Sequence, residues 1–298
     1  MFGWLILAAL SLALPLPPAL PLAPIGAPPA RAEDRAGNRG PEPRLLAAMP
    51  AARPGEPTLT LFLPGGPHRA PFPLVVAVSD SLGPDGRADR ITALLLARGV
   101  AVLDLDPFIV TDGPGQARRR DRVPEAVSQA ADLAAQHPAI DPDRVALLGF
   151  GAGGRAAWLA RPGSDTIPRF VARAILYPGC RDLVAQGQAG APADASAGLL
   201  LMHGSLDTEN GTEACARLVQ GLPDRGRLRH VSLRGAGYAW DRPAPLGEGG
   251  TLLPAPGGEG RVPAAPWTYM AQCSARMVAA WLSDALGARG AVAAAACP

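Results

Sequence analysis

The 298-residue chain contains no lysine, so arginine carries all the positive charge of its side chains. Aromatic residues are also scarce, at 5%, whereas glycine and proline number 35 and 34. We interpret the abundance of Arg, Ala, Gly and Pro as a coding bias without functional meaning. The formal net charge of +2 is almost balanced, which argues against a surface dedicated to nucleic acid.

The apolar run at the N-terminus is too short to span a bilayer. Phe2–Leu14 has 13 residues, and prolines beginning at Pro15 break any helix that follows. Ala30-Arg31-Ala32 fits the cleavage site of a secretory signal peptide, with Glu33 as the first residue of the mature chain. We therefore predict a signal peptide over residues 1–32, a periplasmic or secreted location and no stable membrane span. An uncleaved anchor is the alternative, because no Lys or Arg precedes the apolar run.

Cysteine is limited to four residues, and the first is Cys180, far from the predicted cleavage site, which argues against a lipid anchor. Disulfides persist in oxidising compartments, so an exported chain can pair these residues. Four cysteines allow three fully paired connectivities, and the sequence alone does not choose between them. Cys180 and Cys215 both fall near the carboxyl edge of the predicted sheet, which favours their pairing. Cys273 with Cys297 is a weaker expectation.

Apolar runs of strand length alternate with helical patterns through most of the chain. The predicted strands are Thr58–Leu63, Leu74–Val78, Val100–Leu105, Val145–Phe150, Ala172–Tyr177, Leu199–Met202 and Leu228–Leu233. The predicted helices are Arg87–Arg98, Pro124–His137, Ala152–Ala160, Thr212–Leu222 and Thr268–Leu286. This alternation predicts a mainly parallel sheet with helices on both faces, whose functional crevice lies at the carboxyl ends of the strands.

One domain over residues 57–288 accounts for these elements. Residues 33–56 are rich in Pro, Arg and Ala without periodicity and are predicted to be a linker, and residues 289–298 to be a flexible tail. Inside the domain, Ala185–Gly198 is predicted to be a loop. Arg242–Pro266 is dense in Gly and Pro and is a lid, an insertion or a disordered segment.

The most informative segment, Arg144–Leu159, reads RVALLGFGAGGRAAWL. It predicts a buried strand, a glycine-rich turn and then a helix. In enzymes with the G-x-S-x-G motif, a turn of this kind, the nucleophile elbow, lifts a serine hydroxyl to the top of a parallel sheet. Gly151 stands in the position of that serine, and a glycine has no side chain with which to attack a substrate.

The glycines at Gly149–Gly154 also fit the G-x-G-x-x-G pattern of dinucleotide-binding proteins. Two features argue against that interpretation. The preceding strand is the fourth predicted strand rather than the first, and Tyr177-Pro178 stands where an acidic residue should end the next strand. The start of the helix can still hold a small anion. We predict no cofactor and no metal.

Further segments carry a family resemblance. Leu199–Leu218 reads LLLMHGSLDTENGTEACARL, a strand followed by His-Gly-x-x-Asp and a helix. Val231–Pro243 reads VSLRGAGYAWDRP, a strand that enters a Gly-Ala-Gly turn. Together with the elbow and Val75–Asp106, these segments resemble the dienelactone hydrolase family of α/β-hydrolases over roughly residues 57–288.

The resemblance is closer to exported members of that family, which have a Tyr-Pro-x-Cys motif after one strand. Tyr177-Pro178-Gly179-Cys180 matches that motif, and Cys215 matches a cysteine in the helix after the catalytic aspartate. The resemblance therefore implies a disulfide between Cys180 and Cys215.

The family's catalytic triad comprises an elbow Ser or Cys, an Asp after His-Gly-x-x and a His in a Gly-x-His-x-Phe turn. Carried over to this sequence, the nucleophile position is Gly151, the acid position is Asp207 and the base position is Tyr238. Only the aspartate remains. The mechanism needs a hydroxyl or thiol to attack and an imidazole to take its proton, and tyrosine, with an ordinary pKa of about 10, is a poor base.

Four other residues are expected to line the pocket and the oxyanion hole, which are Ser79, Asp80, Ser81 and Ala152. Ser79, Ser81 and Ser205 can enter the crevice, but each lacks a strained elbow beside a base. His203 lies closest to Asp207 in the sequence, although a histidine in a His-Gly turn usually has a structural role.

We therefore expect an exported protein with a degenerate catalytic apparatus, which binds a small ester, lactone or acid in the old crevice or contacts another protein. The alternative is an active hydrolase of small esters or lactones that uses a non-standard set of residues.

Overall fold

The computed structural model describes residues 44–49 (backbone only), 58–107, 122–163, 167, 169–190, 197–220, 222, 228–243, 251–258, 260–288 and 297. The predicted signal peptide, much of the predicted linker and most of the predicted tail lie outside these residues. Within the described part of the chain, every helix is too short or too polar to cross a membrane.

An eight-stranded sheet forms the centre of the domain. Its strands are β1 (Arg44–Met49), β2 (Thr58–Leu63), β3 (Phe72–Val78), β4 (Ala101–Asp106), β5 (Ile140–Phe150), β6 (Ala172–Leu176), β7 (Gly198–Gly204) and β8 (Leu228–Leu233). The spatial order is β1-β2-β4-β3-β5-β6-β7-β8. β2 pairs antiparallel with both β1 and β4, and every other pairing in this sheet is parallel.

The central strands are almost entirely apolar because helices cover both faces of the sheet, and Arg173 and His203 are the buried exceptions in β6 and β7. Every residue of β3, β6 and β7 is buried. These strands read FPLVVAV, ARAIL and GLLLMHG, so continuous apolar runs rather than alternating ones mark the middle of the sheet.

Six helices are described. They are α1 (Asp89–Leu96), α2 (Val123–Ala135), α3 (Ala152–Leu159), α4 (Cys180–Ala185), α5 (Thr212–Val219) and α6 (Thr268–Ala285). Helices α1 and α6 contribute Leu95 and Val278 to the apolar core on one face of the sheet. Helices α2 to α5 contribute residues such as Val127, Trp158 and Leu218 to the core on the other face. The predicted mainly parallel sheet with helices on both faces is confirmed.

Three elements were not predicted from the sequence. β1 lies within residues 33–56, for which a linker is predicted, and it pairs with β2 despite its lack of alternating polarity. α4 is a single short helix within a predicted connection. Part of Arg242–Pro266 forms a hairpin of β9 (Leu252–Pro254) and β10 (Arg261–Pro263), which buries Leu253 and Val262.

Two disulfides are present. Cys180 at the start of α4 pairs with Cys215 in α5, the pairing that the family resemblance implies. Cys273 in α6 pairs with Cys297. No cysteine in the described part of the chain is left free.

Candidate functional site

The register of the sheet brings the predicted site residues together at its carboxyl edge. In the parallel pair β3–β5, Val78 lies opposite Gly149. Asp80 and Gly151 each follow two residues later, so the two positions leave the sheet side by side. Phe150 pairs with Leu176 of β6, and the Gly151 amide donates to the Leu176 carbonyl oxygen at 3.0 Å.

The turn at Gly151 has the backbone form of a nucleophile elbow. Gly151 has φ 53° and ψ −119°, and α3 begins at the next residue. A residue with a Cβ would be strained at these angles, at a cost of about 1–3 kcal/mol. The neighbouring glycines serve close packing: a Cβ on Gly149 would lie 2.5 Å from the carbonyl oxygen of Gly153. Steric demands of the strand–turn–helix junction therefore account for the glycine pattern that resembles a dinucleotide motif.

The carboxylate of Asp80 occupies the space where an elbow side chain would begin. A Cβ placed on Gly151 would lie 2.5 Å from Oδ1 of Asp80 and 2.6 Å from its Oδ2. Oδ1 accepts hydrogen bonds from the amides of Ser81 (2.7 Å) and Ala152 (3.0 Å). Ala152 follows the nucleophile position and Ser81 lies in the loop after β3, so these amides hold the positions that form the oxyanion hole in G-x-S-x-G enzymes. The chain thus places its own carboxylate against the two amides at those positions.

The second oxygen of Asp80 is also fully engaged. Its Oδ2 accepts from Nη1 of Arg87 at 3.0 Å and from the hydroxyl of Tyr238 at 3.2 Å. A carboxylate has about four lone-pair positions, and four donors fill them here. Asp80 is 4% exposed, so a buried charge is matched by a complete set of partners.

Arg87 extends this arrangement into what we call the Asp80 cluster, comprising Asp80, Arg87, Tyr177, Tyr238 and Asp241. Nη1 of Arg87 donates to the hydroxyl of Tyr177 at 3.2 Å, and that hydroxyl donates to Oδ1 of Asp241 at 2.6 Å. Burial raises the pKa of Asp241 to about 6, although Arg87 and Tyr177 oppose the shift. Oδ2 of Asp241 is buried without a hydrogen-bond partner among the described residues.

Asp85 supports the cluster from outside. It accepts from Nε of Arg87 at 2.9 Å, from Nη2 of Arg87 at 2.5 Å and from Nε of Arg242 at 3.1 Å. Burial raises the pKa of Asp85, but the hydrogen bonds and charge of Arg87 lower it by more than burial raises it. The net shift of the pKa is therefore downward.

Tyr238, at the base position, cannot accept a proton from a nucleophile in this setting. It is 2% exposed, and its hydroxyl hydrogen points to Asp80. Burial raises the pKa of Tyr238 well above its ordinary value, and the charge of Asp80 adds to the shift. Its ring packs edge-on against Tyr177 with centroids 5.2 Å apart. Tyr177 (φ 41°) and Ala239 (φ 52°) both adopt left-handed backbone angles, a strain that marks this part of the molecule.

Asp207, at the predicted acid position, accepts hydrogen bonds from residues of its own turn. Its Oδ1 accepts from the amides of Glu209 (3.0 Å) and Asn210 (3.1 Å), and its Oδ2 accepts from Nδ2 of Asn210 at 3.1 Å. Burial raises the pKa of Asp207 to about 6, and the hydrogen bonds from Asn210 oppose this. The carboxylate therefore fixes the turn before α5.

The remaining candidates lie apart from the cluster or contribute backbone alone. The amide of Ser79 donates to the carbonyl of Leu105 at 3.0 Å, which extends the β3–β4 pairing. The hydroxyl of Ser205 accepts from the amide of Gly235 at 2.9 Å. His203 contacts His230 rather than Asp207, with their Nε2 atoms 3.0 Å apart.

A cavity of about 240 Å³ opens beside the elbow. Its lining includes Ser81, Ala152, Arg155, Gln186 and residues 255–258 of the β9–β10 hairpin. Nη2 of Arg155 donates to Oε1 of Gln186, whereas its Nη1 is buried and has no partner among the described residues. Oγ of Ser81 is likewise buried and has no hydrogen-bond partner among the described residues. Ser81 and Arg155, which each carry one buried and unpartnered polar atom, are therefore among the residues that line the cavity. Burial lowers the pKa of Arg155, and the charge of Asp182 opposes that shift.

Comparisons with known proteins identify the fold. No protein-family model matches the chain, and no curated protein matches it in sequence. A putative dienelactone hydrolase from Klebsiella pneumoniae is similar in structure with a TM-score of 0.51 at 17% identity, over 76% of this chain and 93% of that one. The chain has the α/β-hydrolase fold.

Larger proteins with the α/β-hydrolase fold match as well. A puromycin hydrolase has a TM-score of 0.53 at 17% identity, covering 85% of this chain and 40% of that one. A puromycin-hydrolyzing peptidase from Mycobacterium tuberculosis has a TM-score of 0.51, also at 17% identity and with the same coverages of 85% and 40%. This chain therefore spans about two fifths of the length of the puromycin hydrolases it matches. At identities this low, the structural similarity shows the fold alone. Any activity must therefore be argued from the residues of the site.

Sequence reasoning missed most of the cluster around Asp80. Arg87, Tyr177 and Asp241 come from three separate loops, and no spacing rule connects them. Arg155 was visible only as a residue in the helix after the elbow. The one available signal was that Tyr177 ends a predicted strand and that Tyr238 and Asp241 follow another, since the carboxyl ends of these strands meet at one edge.

Proposed function

We propose that this protein is an exported, catalytically degenerate relative of the dienelactone hydrolases, which binds a small acid, ester or lactone without hydrolysing it. The position of the Asp80 carboxylate is the single observation that carries this proposal. It accepts from the amides of Ser81 and Ala152, where a substrate's oxyanion would have to accept.

Ester hydrolysis through the elbow requires three features that this chain lacks at the family's positions. Gly151 offers no nucleophile, Tyr238 offers no base, and a resident anion fills the oxyanion hole. A substrate carbonyl could enter only after the buried carboxylate had left its four donors. Breaking a buried ion pair of this kind costs about 3–5 kcal/mol, which is a large fraction of a domain's total stability.

The cavity beside the elbow supports a binding role. Its volume of about 240 Å³ is below the range of roughly 300–1,000 Å³ typical of ligand pockets, which favours a small ligand. Ser81 and Arg155 favour a ligand with a carboxylate or carbonyl oxygen, because a side-chain rotation would turn the unpartnered Oγ or Nη1 into the cavity. The Arg155 side chain is half-buried and its Nη2 is bonded to Gln186, so only Nη1 is buried without a partner among the described residues, and a ligand oxygen would supply one.

Export rests on the N-terminal sequence and on cysteine chemistry. Residues 1–32 have the apolar run and cleavage site of a signal peptide. Two disulfides, with no free cysteine in the described part, suit an oxidising compartment.

Catalysis is tested with nitrophenyl acetate and a serine-directed fluorophosphonate on the wild-type protein. We expect no turnover above that of the Asp207→Ala variant and no covalent labelling by mass spectrometry. Turnover that disappears on Asp207→Ala, or stoichiometric labelling of a serine, would contradict the proposal of a degenerate site. It would instead indicate an active hydrolase with a non-standard set of residues.

Binding is tested separately by calorimetry with acetate, benzoate and the corresponding amides. We expect the carboxylates to bind and Arg155→Gln to weaken binding at least tenfold, whereas Arg217→Gln on the exposed side of α5 should have no effect. Equal binding to wild type and Arg155→Gln would remove the cavity from the proposal and leave the absence of catalysis untouched.

A further inference from the structure

Two histidines meet in the sheet, away from the Asp80 cluster. His203 is near the end of β7, and His230 lies in the neighbouring parallel strand β8, opposite Leu201. Residues 201 and 203 share a face of β7, so the two imidazoles project to the same side. Their Nε2 atoms are 3.0 Å apart, and His203 is completely buried while His230 is half-buried.

The tautomers of this pair follow from its hydrogen bonds. Nδ1 of His203 lies 3.0 Å from the carbonyl oxygen of Gly204, which can only accept, so Nδ1 carries the hydrogen. The two Nε2 atoms are 3.0 Å apart, so only one of them carries a hydrogen, and we assign it to His230 because the ring of His203 already has its hydrogen on Nδ1. Nε2 of His203 is then a free lone pair, which accepts the hydrogen on Nε2 of His230. Proteins orient metal-binding histidines in this way, with a backbone carbonyl holding the other ring nitrogen.

Cys215 supplies a third potential ligand. Its Sγ and one nitrogen of each histidine all lie within 4.8 Å of one another. A tetrahedral Zn²⁺ site has metal–nitrogen distances of about 2.0–2.1 Å and metal–sulfur distances of about 2.3 Å, which separates its ligand atoms by roughly 3.3–3.8 Å. Small side-chain movements would bring the three atoms to that spacing. The disulfide with Cys180 prevents this, because a thiolate and not a disulfide sulfur is the metal ligand.

We propose that His203, His230 and Cys215 form a thiol-gated site for a divalent transition-metal ion of the Zn²⁺ type. This inference goes beyond the proposed function and departs from the expectation of no metal site. A nitrogen and sulfur donor set suits Zn²⁺ far better than Mg²⁺ or Ca²⁺. Sequence analysis had no spacing motif to find, since the three ligands come from a strand, a helix and another strand.

The opening step balances with a dithiol as reductant. Because Cys180 and Cys215 are both completely buried, α4 and α5 must first separate locally to admit it. The dithiol supplies two electrons and two protons, the bond between Cys180 and Cys215 breaks to give two thiols, and the reductant becomes a disulfide. Zn²⁺ then displaces the proton of the Cys215 thiol, which passes to solvent. The hydrogen on Nε2 of His230 is exchanged through water for one on Nδ1, which the half-exposed ring permits. Water or the Cys180 thiolate completes the coordination.

The experiment uses the full chain and Co²⁺ as a spectroscopic substitute for Zn²⁺. Protein reduced with a phosphine and freed of reductant under anaerobic conditions is titrated with Co²⁺, and Zn²⁺ is then added in competition. We expect one Co²⁺ per chain with sulfur-to-cobalt charge-transfer absorption, which Zn²⁺ abolishes and the oxidised protein does not show. Absence of that band, or loss of the native far-ultraviolet circular dichroism on reduction, would overturn the proposal.

Variants separate this site from other thiols and histidines. His230→Ala changes a half-exposed residue of the outermost strand and should weaken Co²⁺ binding by at least ~10-fold, the loss that even outer partners of metal ligands produce. His137→Ala is the matched control, and Cys273→Ala with Cys297→Ala removes the second disulfide; both should retain the full band. An unchanged band in His230→Ala, or its loss in the Cys273 and Cys297 variant, contradicts the assignment.

Discussion

Gly151 and Asp80 share the same few ångströms at the carboxyl edge of the sheet, and each restricts the residue that the other position can hold. Any side chain at position 151 would begin 2.5 Å from the carboxylate of Asp80. Conversely, removal of that carboxylate would leave four hydrogen-bond donors without an acceptor. A nucleophile at position 151 and the carboxylate at position 80 are therefore mutually exclusive in this arrangement.

Restoring the two missing triad residues should therefore fail. We predict that Gly151→Ser combined with Tyr238→His gains no ester turnover and loses at least ~3 kcal/mol of unfolding free energy, because overpacking adds to backbone strain. Urea denaturation and a nitrophenyl ester assay measure the two outcomes. Gly187→Ser is the control for strain alone, since Gly187 has φ 70° with nothing within 4 Å of a Cβ. A folded, active double variant would show that the oxyanion hole is open.

Asp241 predicts a specific dependence of stability on pH. Burial raises the pKa of Asp241 to about 6, whereas an unfolded aspartate titrates at about 3.9. The folded state therefore binds the proton more tightly, and this residue's contribution to stability falls as pH rises through that interval. We predict that Asp241→Asn is more stable than wild type by about 1–3 kcal/mol at pH 7.5, and that the difference disappears near pH 4.

Asp85→Asn should change the stability at pH 7.5 in the opposite direction to Asp241→Asn, although the two residues lie near each other. Burial raises the pKa of Asp85, but Arg87 lowers it by more. The Asn variant should therefore be less stable than wild type at pH 7.5, and the deficit should shrink as the pH falls through the folded-state pKa. Denaturation curves for both variants between pH 3.5 and pH 8 would test the pair, and the same sign for both would contradict the account.

At the scale of residues, the sequence predicted which positions meet but not what they do there. Asp80 was expected near the oxyanion hole because it follows β3, and strand order alone brings it beside Gly151. Its role as the occupant of the hole depends on a side-chain conformation held by Arg87 and Tyr238. Sequence periodicity carries no information on such contacts.

Helices α4 and α5 are joined by the Cys180–Cys215 disulfide across 35 residues. Closing a loop of that length restricts the unfolded chain by about 4 kcal/mol in the chain-entropy model. We predict that Cys180→Ala with Cys215→Ala lowers the unfolding free energy by roughly 2–4 kcal/mol while the far-ultraviolet circular dichroism stays native. Guanidinium denaturation measures the change, and an unaffected midpoint would show that the bridge contributes no stability.

The elements themselves were largely predictable from apolar runs. All seven predicted strands are present, with β5 starting earlier than expected, at Ile140. β1 was missed because RLLAAM has neither alternation nor β-branched residues, and it becomes a strand only by pairing with β2. The β9–β10 hairpin was missed because Gly and Pro dominate its surroundings, although Leu253 and Val262 are buried.

At the scale of the whole molecule, the proposed export is consistent with the two disulfides. We predict that the full chain expressed in a Gram-negative host is recovered from the periplasm with Glu33 as its first residue. N-terminal sequencing and fractionation measure this outcome. Protein that keeps Met1 in the membrane fraction would indicate an uncleaved anchor, and Met1 in the cytosol would contradict export.

The residues that determine the fold of this chain are largely different from those that form the candidate site. The α/β-hydrolase fold depends mainly on apolar strands and helix packing, to which Tyr238 adds its buried ring and Gly151 the turn before α3. The site depends on a few side chains at the carboxyl edge, where the described residues place an anion of the chain itself. On the proposed account, the fold is retained without an elbow nucleophile, and the carboxyl edge holds a buried polar cluster instead.

The central claim, that the Asp80 carboxylate fills the space of the nucleophile, is tested most directly by a double-mutant cycle. The unfolding free energy is measured for wild type, Gly151→Ala, Asp80→Ala and the double variant. We predict that Gly151→Ala costs at least ~2 kcal/mol more in the wild-type background than when Asp80 is alanine, where only the backbone strain of about 1–3 kcal/mol remains. An equal cost in both backgrounds would show that the carboxylate does not occupy that space.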